Sequence, residues 1–133
     1  MIPDFDERGQ LPPGIHKATL EEIAARFGQE SVLRRAEMQS LRWLVALATR
    51  AGVVRIVVNG SFVTDEYEPN DVDCALLLGT DYPRDQDADA ELQEELPFLQ
   101  VDLLGHEYFD YYIDVIFGTY RLGVSKGMIE VLP

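Results

Sequence analysis

Asp71 and Asp73 are the residues in this 133-residue chain whose type and spacing most plainly suggest chemistry. In an extended segment, residues two apart point to one face, so these two carboxylates would stand side by side. Two like charges that close repel, and one pKa rises unless a cation lies between them. A ligand set made only of oxygen suits Mg²⁺ or Mn²⁺, ions that also bind phosphate. Ten positions before Asp71 lies Gly60-Ser61-Phe62, following the apolar, β-branched run Val53-Val54-Arg55-Ile56-Val57-Val58. Glycine permits a sharp turn and close approach of a ligand. Ser61 adds a hydroxyl and an N–H, the donors that hold phosphate where a strand ends in a turn. A Gly-Ser cradle beside a carboxylate pair describes a site for a metal-bound nucleoside triphosphate.

The elements that must position these groups are readable. Residues 53–58 predict a strand buried on both faces. Pro69-Asn70 marks a turn, and Asp71 to Leu78 reads as a second strand. Ahead of them, Thr19-Leu20-Glu21-Glu22 is a capping box that opens a helix to about Phe27, with Gly28 as its stop. A longer helix covers about Ser31 to Ala51, ending at Gly52, with Leu33, Leu41, Leu44, Val45 and Ala48 as its apolar stripe. Arg34, Arg35, Arg42 and Arg50 punctuate its other faces, either as a solvated surface pairing with the acidic half or as a docking surface. Residues 1–18, broken by Pro3, Gly9, Pro12, Pro13 and Gly14, predict an irregular arm.

Past the second strand, residues 80–89 predict a polar loop whose Asp81, Asp85, Asp87 and Asp89 are solvated charge. Residues 88–96 predict a short helix stopped by Pro97. Phe98 to Leu104 predict a third strand carrying Asp102, and Met128 to Leu132 a last strand at a sheet edge. Between these, Phe109, Tyr112, Ile113, Ile116 and Phe117 fall at helical spacing, which makes 107–117 a helix with Asp110 and Asp114 on its polar face. Tyr108, Tyr111 and Tyr112 read as packing residues rather than a base-stacking platform. Arg121 and Lys126 are two of three basic residues after position 60, and either could reach a triphosphate.

Gly60-Ser61, nine residues, then Asp71-Val72-Asp73 resembles the signature of the nucleotidyltransferase superfamily, which has the polymerase-beta-like fold. The chain is most similar to the minimal nucleotidyltransferases of prokaryotic toxin–antitoxin and defence loci. Leu11-Pro12-Pro13-Gly14-Ile15-His16, the Gly-Ser-Phe-Val-Thr at 60–64 and Lys126-Gly127 also resemble a group of small bacterial proteins in that superfamily. The resemblance implies one α/β (α+β) domain over residues 1–133, a small mixed sheet with the two N-terminal helices packed against it. It implies that Gly60 and Ser61 hold the β- and γ-phosphates, that Asp71 and Asp73 bind two Mg²⁺ ions, and that Val101-Asp102-Leu103 supplies the third carboxylate, with Asp114 its competitor. The expected reaction moves a nucleoside monophosphate from a triphosphate to a hydroxyl on a protein or other acceptor.

The spacer is one residue short of the minimal pattern, and Asp65 and Glu66 stand where many relatives carry a basic residue. That departure keeps an alternative open: a catalytically degenerate fold acting as an antitoxin-like, protein-binding module.

Composition narrows the partners. Net charge is −13, and residues 60–133 carry 3 basic against 17 acidic side chains. Such a surface repels duplex nucleic acid and favours a protein partner with a basic face. No apolar run approaches the roughly 20 residues that span a bilayer. The acidic start is unlike a signal peptide, and the expected location is the cytoplasm. Cys74 is the lone cysteine and reads as a core residue; with His16 and His106 it cannot build a zinc site. The Arg-rich second helix facing an acidic half could support a homo-oligomer.

Overall fold

A computed structural model describes residues 1–117 and 126–133. Its framework is one five-stranded mixed sheet built from β1 (Gly14–Ala18), β2 (Val53–Asn59), β3 (Val72–Leu78), β4 (Leu99–Leu104) and β5 (Gly127–Val131). The spatial order is β1-β5-β2-β3-β4. β1 and β5 are parallel, as are β3 and β4, whereas β2 runs antiparallel to both of its neighbours.

Side-chain alternation along the central strands sends apolar residues to both faces, and each face has its own cover. Ile56, Val58, Cys74, Leu76 and Ile129 pack with α1 (Leu20–Phe27), α2 (Val32–Ala51) and α3 (Gln86–Leu92). Val57, Ala75, Leu77 and Met128 pack on the other face against Phe109, Ile113 and Phe117. Those three come from α4 (His106–Tyr111) and the wider π-helical turn Tyr112–Phe117 that continues it. The fold is therefore the expected α+β arrangement, a small mixed sheet with the two N-terminal helices against one face.

Local chemistry explains the element ends. Thr19 and Glu22 form the reciprocal capping box: the Glu22 N–H donates to Thr19 Oγ1 at 3.2 Å, and the Thr19 N–H to Glu22 Oε1 at 3.0 Å. The Ser31 side chain accepts from the Arg34 N–H at 3.0 Å and starts α2. Gly52, in the left-handed conformation at φ 104°, ends it. No helix among the described residues is long and apolar enough to cross a membrane.

Four expectations need correction. The arm 1–18 is not wholly irregular, because Gly14–Ala18 pairs in register with Gly127–Val131. That pairing moves β5 into the sheet interior, so the edges are β1 and β4. α3 spans Gln86–Leu92, earlier and shorter than predicted, because the Asp85 side chain accepts from the Ala88 N–H and caps it two residues sooner. Arg34 is neither solvated nor a docking residue; it is buried. The other α2 arginines do face solvent, where Arg42 pairs with Glu21 at 3.0 Å and Arg50 with Asp85 at 3.3 Å.

Candidate functional site around Gly60 and Asp73

β2 and β3 deliver the site at one end of the sheet. Their antiparallel register sets Asn59 opposite Asp73, and the parallel β3–β4 register sets Gln100 beside Asp73 and Asp102 beside Ala75. Asp73 and Ala75 share a face, so Asp73 and Asp102 lie on that face as diagonal neighbours. Asp71, two residues before Asp73 in the chain, leads into β3 from the same end. Asn59 is buried, and its side-chain amide donates to the Phe117 carbonyl at 2.8 Å, tying the π-helical turn to the end of β2.

The turn after β2 is held from beneath. Gly60 sits at φ 84°, ψ −168°, a region essentially open only to glycine. A short 3₁₀ turn, Ser61–Val63, follows. The guanidinium of Arg34 fills the space below and donates to the carbonyls of Phe62 at 2.7 Å, Thr64 at 2.9 Å and Phe27 at 3.0 Å, while its Nε donates to Glu66 at 3.1 Å. A planar cation with five donors is suited to gathering carbonyls from a curved loop, and lysine would not be. Among the described residues, the Ser61 hydroxyl and N–H have no protein acceptor, and both stay available to a ligand.

Electrostatics concentrate on Asp73. Burial, followed by the Asp71 charge, pushes its carboxyl up to about 6; Asp102 adds to the rise and Lys126 opposes it. Lys126 is half-buried, and its ammonium is pulled below the usual lysine range by burial, against the attraction of Asp73. Asp102 is exposed and accepts a hydrogen bond from the Tyr112 hydroxyl. Among the described residues, no three His, Cys, Asp or Glu side chains converge closely enough to hold a metal ion.

The structure thus brings Gly60, Ser61, Asp71, Asp73, Asp102 and Lys126 to one region. Asp114 is exposed on the π-helical turn. Arg121 lies outside the described residues.

Sequence reasoning misses three participants. Arg34 and Glu37 recur with Leu41, Leu44 and Ala48 at helical spacing, a signal that both face the core. Glu37 is fully buried, neither carboxylate oxygen has a hydrogen-bond partner among the described residues, and burial pushes its pKa up to about 7, Arg34 opposing and Asp71 adding. Tyr112 reads as packing from the sequence, yet its hydroxyl reaches Asp102.

No curated protein and no solved structure matches the chain. A family model described as a family of unknown function, DUF6932, matches residues 3–132, and the chain belongs to that family.

Proposed function

We propose that the chain is a metal-dependent nucleotidyltransferase of the cytoplasm, moving a nucleoside monophosphate from a nucleoside triphosphate to a hydroxyl on a protein or other acceptor. The observation that carries this reading is the meeting of the glycine-only turn at Gly60 with Asp71, Asp73 and Asp102 at one end of a single sheet face, beside Lys126. A setting in a toxin–antitoxin or defence system is part of the same proposal.

The donor set fits Mg²⁺ or Mn²⁺. Mg²⁺ is commonly held by one or two carboxylates together with substrate phosphates, so the Asp71–Asp73 pair suffices as its protein share, with Asp102 close by. Burial and then the Asp71 and Asp102 charges raise Asp73, and a bound cation would oppose that rise. When bound, the ion would supply charge neutralisation at the phosphates.

The chain's own groups supply the rest. The Ser61 N–H and hydroxyl donate to phosphate oxygens, and the Lys126 ammonium adds a positive charge near them. Asp102, oriented by Tyr112, accepts the proton of the acceptor hydroxyl. The acceptor oxygen forms its bond to the α-phosphorus as the bond to the bridging oxygen breaks, and pyrophosphate leaves with that electron pair.

The test is calorimetric titration of ATP, GTP, CTP and UTP with Mg²⁺ into the chain and into Asp73→Asn, with thermal melts of both. Saturable, Mg²⁺-requiring binding lost in the variant is expected. A folded wild-type chain that binds none of the four overturns the reading.

A second reading, a binding module on the same fold, is favoured by one observation: Asp102 is already engaged by the Tyr112 hydroxyl. On that reading Asp71→Asn and Asp73→Asn variants keep their partner.

A further inference from the structure

β4 is the outermost strand on the site side of the sheet. The Val72 N–H donates to the Phe98 carbonyl at 2.8 Å, which fixes the phase of the strand. Residues 98, 100 and 102 direct their peptide groups to β3, and Leu99, Val101 and Leu103 direct theirs away from it. The outward Leu99 N–H is taken by the Leu96 carbonyl at 3.2 Å. The Leu99 carbonyl and both peptide groups of Val101 and Leu103 have no partner among the described residues.

A groove of about 450 Å³ runs along this edge between β4 and the end of α3. Leu92, Leu96, Val101 and Leu103 line it with apolar side chains, and Glu94, Glu95 and Asp102 line it with carboxylates. A second groove, of about 390 Å³, continues from Phe98 and Gln100 to Asp71. Neither groove is lined by a lysine or arginine. Phe98, 40% exposed, stands beside the second.

Unpaired strand edges pair with other chains unless something blocks them. Here the edge offers main-chain partners, with Val101 and Leu103 on the face of the sheet that packs with Leu92 and Leu96 and Asp102 on the opposite face. An added strand must alternate in the same way, because its side chains also alternate between the two faces. We infer that β4 captures an extended polypeptide segment in which apolar residues alternate with lysine or arginine, by strand addition along Leu99–Leu104. A second copy of this chain is disfavoured by charge, since it would set Glu94, Glu95 and Asp102 against their own equivalents. The surface stands whether or not the carboxylates transfer a nucleotide.

The probe is a labelled peptide of four Val-Lys repeats, acetylated and amidated, titrated into the full chain at low salt with anisotropy and amide NMR readouts. Controls are the Val-Glu counterpart and Val-Lys peptides N-methylated on alternate amides in either phase. Saturable binding with shifts centred on residues 99–105 is expected. Methylation in one phase should weaken it about tenfold, by the loss of two main-chain hydrogen bonds. The exposed-site variant Glu95→Lys should weaken it severalfold. Equal binding by peptides methylated in both phases would reduce the interaction to bulk charge and overturn strand addition. So would equal binding by the Val-Glu peptide, no binding by the folded chain, or self-association through β4 in sedimentation.

Discussion

A Cβ built on Gly60 would lie 2.3 Å from Oδ2 of Asp73, so the backbone of the turn and the carboxylate occupy adjoining space that leaves no room for a side chain. The turn is also held at a positive φ of 84°. Conformation and contact therefore ask for the same residue. They fix the Gly60 turn against the Asp73 carboxylate at the proposed site.

Gly60→Ala should accordingly be more disruptive than a single methyl suggests. Strain in that backbone region costs roughly 1–3 kcal/mol, and Asp73 must move as well. The expected result is a lower urea midpoint together with loss of nucleotide binding. An unchanged midpoint for Gly60→Ala would show that the turn is not tied to Asp73.

Asp73 predicts a pH dependence. Its folded pKa, about 6, stands above the ordinary carboxyl value of 3.8, so folding is opposed once the group ionises. Stability contributed by the protonated form is present below 3.8 and is lost as pH rises through about 6. Burial is the main cause of the loss, Asp71 and Asp102 add to it, and Lys126 blunts it. Asp73→Asn should match the parent near pH 3.8 and exceed it at pH 8 by on the order of 1 kcal/mol, solvent screening included. Thermal melts across that range check this. Mg²⁺ should raise the parent's melting temperature at pH 8 and leave the variant's unchanged.

Glu37 makes a separate pH prediction. It is fully buried without a hydrogen-bond partner among the described residues, and its pKa is pushed up to about 7 from 4.5. The parent should lose stability as pH rises from 4.5 through 7, with Arg34 limiting the loss and Asp71 adding to it. Glu37→Gln keeps the shape without the charge. It should equal the parent near pH 4.5 and exceed it at pH 9 by on the order of 1–2 kcal/mol. Equal pH profiles for the two would mean that Glu37 titrates in the folded chain as it does in water.

Why some of this is legible in the sequence and some is not follows from what kind of signal each residue leaves. α1 and α2 end where Thr19, Ser31 and Gly52 act through bonds a few residues away, so local sequence carries them. β3 and β4 are equally local, as apolar runs holding one aspartate each. The position of β5 is not, because nothing in Gly127–Val131 says that Gly14–Ala18 will cover its outer side. The same limit applies to the site. Asp71 and Asp73 advertise themselves by spacing, whereas Tyr112 meets Asp102 only once the π-helical turn crosses that face of the sheet. Arg34 misleads because a charged residue on an amphipathic helix ordinarily faces water, and the carbonyls that bring it inside lie about thirty residues later.

Arg34 gives the sharpest test of how the site is built. Its donors serve carbonyls on both sides of the turn, at Phe27, Phe62, Thr64 and Glu66, and it is among the largest fully buried side chains in the chain. Arg34→Lys keeps the charge but replaces a planar fork with one ammonium that cannot reach four carbonyls at once. Several buried acceptors are then left unpaired, at about 1–3 kcal/mol each before relaxation. The expected net loss is about 3 kcal/mol in urea unfolding, with the loop 61–66 the first segment to lose amide protection in hydrogen exchange. Arg34→Met removes the charge as well and relieves Glu37 of its opposing cation, so its deficit should widen above pH 7 where that carboxylate ionises. If Arg34→Lys instead unfolds at the parent's midpoint with loop protection intact, the turn is held by Gly60 and the sheet alone. The approach of the Gly60 turn to Asp73 would then not depend on α2.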